Sequence, residues 1–180
     1  MSPSFSRRGL FKIGALALTA GAIGAAAPNA AALGPVRGTI IDFSAGVPSP
    51  QAIKNAGHMG AIRYVSDKRP GAAWMTGKPV TLKETKANAA ADLPTASVYQ
   101  FGRAETADWK QGAAGAAIHA PKAIALHKKA GGPTNRPIYI AIDDNPTREQ
   151  YTRQIRPYLQ AFSKTLELAG YQTGIYGNYS

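Results

Sequence analysis

PIYIAIDDNPTREQYTRQIRPYLQAFSKTLELAGYQTGIYGN (residues 137–178) holds one complete strand–helix–strand unit, and its reading decides the fold. Residues 137–143 are apolar up to the last position and rich in β-branched and aromatic side chains, which reads as a strand. Thr147 then stands three residues before Gln150, the spacing of a reciprocal helix cap. Ile155, Leu159, Phe162 and Leu166 recur at helical intervals until Gly170 ends the pattern, and a second strand-like run covers 173–178. Two strands joined through a helix by short links run parallel.

The same alternation extends upstream. Strands are predicted at 38–43 (GTIIDF), 61–65 (AIRYV) and 96–101 (ASVYQF). Between them, Ser49 with Pro50 opens one helix and Gly57 closes it, while Thr81 and Glu84 have capping-box spacing for the next. The third helix is Ala-rich, with Pro121 expected to break or kink it and Gly131 to stop it. Strands apolar at nearly every position suit a sheet covered on both faces. An open doubly wound sheet and a closed (β/α)8 barrel both satisfy this pattern.

The first 32 residues stand apart. Arg7 and Arg8 precede the short apolar stretch LALTAGAIGAAA (16–27), and Ala30 and Ala32 offer small residues for cleavage. This is an export signal of the twin-arginine kind, and the apolar stretch is too short and too rich in Gly and Ala for a stable membrane span. The mature domain is then 33–180. The chain has no cysteine, which excludes disulfides, thiolate metal sites and a cysteine nucleophile. Of 21 Lys and Arg, three lie in the signal, so the mature part carries 18 bases against 10 acids, a net +8. Such a charge favours anionic wall polymers, but no basic–aromatic motif points to nucleic acid.

Length bears on the choice of architecture. Removing the signal from 180 residues leaves 148, whereas a (β/α)8 barrel takes about 200 to 250 residues. Five strands and an end on a strand lead us to expect a barrel cut short at its C-terminus after about five βα units.

In either α/β architecture the working face is the C-terminal end of the strands. Asp42, Asp67, Gln100, Asp143, Asp144, Asn145 and Asn178 fall there, with Tyr64, Tyr99 and Tyr176 beside them. Carboxylates converging from separate strands can divide acid and base roles, as glycosidases require. The alternative is local: DDNPT also suits a turn and helix start, so Asp144 reads as either a loop or a site residue. Trp74 and Trp109 lie in the loops after the second and third strands, as sugar platforms or as packing residues. His58, His119 and His127 are scattered without carboxylates at ligand spacing, so no metal is expected. No phosphate loop or Gly-x-Ser-x-Gly elbow is present, and no cofactor is expected.

The stretches IDFSAGVPSPQAIKNAGHMGAIRYVSDKRPGAAWMTGKP, YQFG, GGPTNRPIYIAIDDNP and TGIYGN resemble the glycoside-hydrolase-like domain of twin-arginine-exported actinobacterial proteins (the DUF1906 type), related to the family 25 lysozymes. The resemblance covers almost all of 38–180 and implies a TIM-barrel-like fold with relatives extending past Ser180. It implies that Asp143 matches the first carboxylate of the lysozymes' Asp-x-Glu at the end of strand four, and Asp42 their strand-one aspartate. Asn145 takes the place of the glutamate, and an amide has no titratable proton to give.

The resemblance therefore implies an exported protein, secreted or wall-associated, whose partners are the twin-arginine machinery and cell-envelope polysaccharide or peptidoglycan. As a glycoside hydrolase it would use Asp143 and Asp42 catalytically, with Tyr64, Tyr99, Gln100, Asp144, Asn145, Tyr176, Asn178 and Trp74 binding sugar. The alternatives are a barrel that binds glycan without cutting it and an exported scaffold with a vestigial pocket.

Overall fold

A computed structural model describes residues 35–177. Arg7, Arg8 and the rest of the expected signal, and also Asn178, lie outside the described residues. Five strands, β1 (Thr39–Asp42), β2 (His58–Tyr64), β3 (Thr95–Tyr99), β4 (Pro137–Ile142) and β5 (Gln172–Gly177), form one sheet in the order β1-β2-β3-β4-β5. Every neighbouring pair is parallel. A doubly wound sheet reverses its strand order at a switch point. This order never reverses, so right-handed crossovers place the connecting helices on one face of the sheet.

The helices are α1 (Pro50–Asn55), α2 (Leu82–Ala90), α3 (Gly112–Lys129) and α4, which joins Arg148–Gln150, a π turn over Tyr151–Ile155, and Arg156–Leu168. Their predicted caps form. Ser49 Oγ accepts the Ala52 N–H at 3.2 Å, and Thr147 and Gln150 accept each other's backbone N–H groups at 3.1 and 2.9 Å. Pro121 does not break α3, which runs through it. Pro121 and Ala117, whose carbonyl loses its helical donor, both lie on the exposed side, where water can replace the missing bond.

At α2 the cap is half used. Thr81 Oγ1 accepts the Glu84 N–H at 3.2 Å, but the Glu84 carboxylate turns inward to Arg63. Arg63 is fully buried. Its guanidinium donates to Glu84 Oε1 at 2.5 Å, to the Gly77 carbonyl at 2.6 Å and to the Phe43 carbonyl, and lies 3.8 Å from the Phe43 ring centre. One cation thus fastens the end of β1, the loop after β2 and the start of α2, with its donors directed at acceptors as burial demands.

Side chains alternate across the strands. Val65, Tyr99, Ile138, Ile140 and Ile142 meet α3 and α4, where Ala116, Ala120 and Ala123 pack with Tyr158, Phe162 and Leu166. This layer is the main core. The opposite face carries Ile62, Tyr64, Val98 and Ala141, with Ile40, Ala96, Tyr139 and Tyr176 packed against them. That second face leads to the polar rim at the strands' C-terminal ends.

Candidate functional site at the C-terminal rim

Asp42 is the last residue of β1 and collects two phenols. Tyr64, ending β2, donates to Asp42 Oδ2 at 2.7 Å, and Tyr176 of β5 donates to the same oxygen at 3.1 Å. Burial, then the Asp42 charge, raises both phenols well above their ordinary range, so they remain donors. The charge of Asp143 pushes both in the same direction, which places it in the field of the same rim.

Asp143 follows β4 with its side chain partly exposed, and Arg103 stands beside it. The Arg103 Nε donates to the Asp143 carbonyl at 3.1 Å and lies 3.7 Å from Asp143 Oδ2. Arg103 sits just after Gly102, where the chain turns so tightly that a Cβ would lie 1.6 Å from the Thr106 carbonyl oxygen. Only glycine permits that turn.

Asp144 is occupied by the loop after β3. Its Oδ1 accepts the Ala104 N–H at 3.0 Å and its Oδ2 the Trp109 indole N–H at 2.9 Å. It pins the segment that carries Arg103, which is the loop role that its sequence context allowed. Trp109 is correspondingly buried, and of its two readings it takes the packing one: its ring lies in the helix layer.

Tyr99, expected to bind sugar, is corrected. It neighbours Val98, which faces the rim side, so its own side chain turns under the helices. There its hydroxyl is hydrogen-bonded to His119 Nδ1 at 2.6 Å and its ring meets Phe162. Gln100 enters through its backbone, its carbonyl accepting from Lys78 Nζ at 2.6 Å and Ser66 Oγ at 2.7 Å. Asn145 is exposed beyond Asp144, and Trp74 is exposed on the loop after β2. Asp67 pairs with Lys122 of α3 at 2.5 Å.

Sequence reasoning missed Arg103 and Lys78. Both lie on loops after strands, where a basic residue carries no periodic signal. His58, His119 and His127 are engaged with Thr39, Tyr99 and Ser97, and among the described residues no group of three or more potential ligands is placed to hold a metal ion. A cavity of about 760 Å³ lies at the other end of the strands, bounded by Thr95, Arg136 and Pro137, and the rim carboxylates take no part in it. Among the described residues no helix is long and apolar enough to cross a membrane.

Parallel strands wound in one direction with a helix between each pair define an α/β protein of the barrel-like kind. The family model described as the Rv2525c-like, glycoside hydrolase-like domain matches residues 51–180, and the chain belongs to that family. It is 45% identical over 183 aligned positions to Rv2525c of Mycobacterium tuberculosis, a protein provisionally named a peptidoglycan hydrolase, covering 97% of this chain and 73% of the relative. The crystal structure of the Tat-secreted Rv2525c in complex with HEPES superposes with a TM-score of 0.74 at 49% identity, over 78% of this chain and 69% of that one. The modular autolysin LytC of Streptococcus pneumoniae shares the fold at 17% identity, with a TM-score of 0.55 over 77% of this chain and 32% of that one. With its paired arginines and a Tat-secreted relative, the chain is an exported protein, secreted or wall-associated.

Proposed function

We propose that the chain supplies five units of a (β/α)8 barrel whose rim holds the glycan of peptidoglycan. Asp42 carries this reading. One carboxylate oxygen takes two phenolic donors from separate strands, which fixes the group rigidly and leaves its other oxygen for a ligand. Sugar hydroxyls suit such an acceptor, and Asp143 with Arg103 offers an acceptor and a donor on the same rim. The relatives support the substrate class: one carries the peptidoglycan hydrolase name, and the pneumococcal autolysin with the same fold has been crystallised with a synthetic peptidoglycan ligand.

Binding without cleavage is the better-supported half of the reading. A glycosidase needs one carboxyl group that gives a proton. Both Asp42 phenols donate to its carboxylate, Asp143 stands beside a guanidinium, and the position matched to the lysozyme acid is the exposed amide of Asn145. Hydrolysis is the second reading, favoured by two carboxylates on one rim, with its acid supplied from outside residues 35–177.

Purified peptidoglycan incubated with the chain and with Asp42→Asn and Asp143→Asn separates the two. Retention on the pellet by the wild type, weakened in both variants and without sugar release, is expected. Release by the wild type that both variants abolish would establish hydrolysis, and undiminished retention by both variants would remove the rim from the function.

A further inference from the structure

Lys78 lies directly under the rim and is almost completely buried. Its ammonium has two partners there: it donates to the Gln100 carbonyl at the end of β3, at 2.6 Å, and stands 4.4 Å from the centre of the Tyr64 ring. Tyr64 in turn donates to Asp42. The loop is held at this level by Val80, whose N–H donates to the Tyr64 carbonyl at 2.9 Å, and by Arg63 on the Gly77 carbonyl. A desolvated ammonium over an aromatic face is drawn to the ring by its quadrupole, which favours the ring position that keeps the two together.

We propose that Lys78 is a positioning residue for the rim, and that its ammonium holds Tyr64 against Asp42 so that the rim binds its ligand well only while Lys78 is protonated. The assignment rests on the reading of the rim as a glycan site.

The groups around the ammonium make this testable near neutral pH. Burial lowers the Lys78 pKa to about 8; Asp108 and Asp67 work against that shift, while Arg69 and Arg63 add to it. Tyr64 and Tyr176 are pushed upward and stay protonated through the same range. An alkaline loss of binding centred near pH 8 is therefore the signature of Lys78 and not of the phenols.

The test measures retention of the full chain on purified peptidoglycan between about pH 6 and 10, with the Lys78 Cε and Tyr64 Cζ resonances followed by carbon NMR. Wild-type affinity should fall about tenfold along the Lys78 titration, the size expected for a desolvated cation–ring contact. Lys78→Met should bind weakly at every pH, and Lys78→Arg should bind without the alkaline loss. A flat wild-type profile while Lys78 titrates, or an alkaline loss that persists in Lys78→Met, overturns the proposal. If Lys78→Arg does not fold, the wild-type profile and the Tyr64 resonance decide. If the wild type is not retained at any pH, the glycan reading fails by itself. The Lys78 assignment is then judged on Tyr64 alone: a resonance that follows the Lys78 titration supports it, and an unmoved one overturns it.

Discussion

Tyr176 of β5 donates a hydrogen bond to Asp42 of β1 at 3.1 Å, although these strands stand at opposite ends of the sheet. In a flat five-stranded sheet the two outer strands would be about 19 Å apart, at roughly 4.8 Å per strand. An Asp and a Tyr side chain together do not span that distance. The sheet is therefore rolled about its non-helical face, and the ends of β1, β2 and β5 meet there. Rolling is what turns a row of strand ends into a site.

The bond also bears on stability. Tyr176→Phe removes one donor from a partly buried carboxylate and should cost about 1 kcal/mol, with weaker retention on peptidoglycan. Tyr64→Phe, whose phenol is nearer to Asp42 and more buried, should cost more. Urea unfolding of both variants checks the order. Equal stability of all three proteins would mean that these bonds do not hold the roll.

Arg63 and Glu84 form the most buried ion pair of the described residues. Glu84→Ala would strand a guanidinium with a full charge in the core and should destabilise the protein by about 3–5 kcal/mol. Glu84→Gln keeps an acceptor for Arg63 and should cost distinctly less. Thermal melts of the two variants give the comparison, and a Glu84→Ala protein as stable as Glu84→Gln would contradict the role assigned to the pair.

The two tryptophans should behave oppositely in solution. Trp109 is 3% exposed with its indole bonded to Asp144, whereas Trp74 is 53% exposed. Iodide should quench most of the emission of Trp109→Phe, which retains Trp74, and little of the emission of Trp74→Phe. Strong quenching of Trp74→Phe would show that the loop carrying Arg103 opens in solution.

Much of this fold is legible in the sequence because its signals are local. Ser49, Thr81 and Thr147 cap the helices they precede, and Gly57, Gly131 and Gly170 leave their helices with φ of +83°, +79° and +81°. Asp42, Tyr64 and Tyr176 were legible as strand ends, and the structure brings them together. Tyr99 failed because a strand end is readable only to within a residue, and one residue changes the face. Glu84 had the spacing to complete a cap and instead answers Arg63, a partner 21 positions earlier whose burial no local pattern reveals. Pro121 does not end its helix, and both it and the carbonyl it leaves without a donor are exposed to water. Arg103 and Lys78 belong to the site through tertiary contacts alone.

Lys78 should lower the stability of the protein at neutral pH. Its pKa is about 10.5 when unfolded and about 8 when folded, a difference worth about 3 kcal/mol. Below pH 8 both states carry the proton, and the folded state bears the full cost of burying the charge. Between pH 8 and 10.5 the unfolded chain still binds a proton that the folded one has shed, so the contribution of Lys78 to stability rises with pH. Above 10.5 neither state is charged and the cost is gone. Lys78→Met keeps most of the volume without the charge, and the Gln100 carbonyl retains the Ser66 hydroxyl as a donor. The variant should therefore unfold at higher urea than the wild type at pH 7, by up to about 3 kcal/mol, and the gap should close as pH approaches 10. A Lys78→Met protein less stable than the wild type at pH 7 would mean that the ammonium's contacts outweigh its burial. Greater stability combined with poorer glycan retention would instead show a buried charge kept for the rim at the expense of the fold.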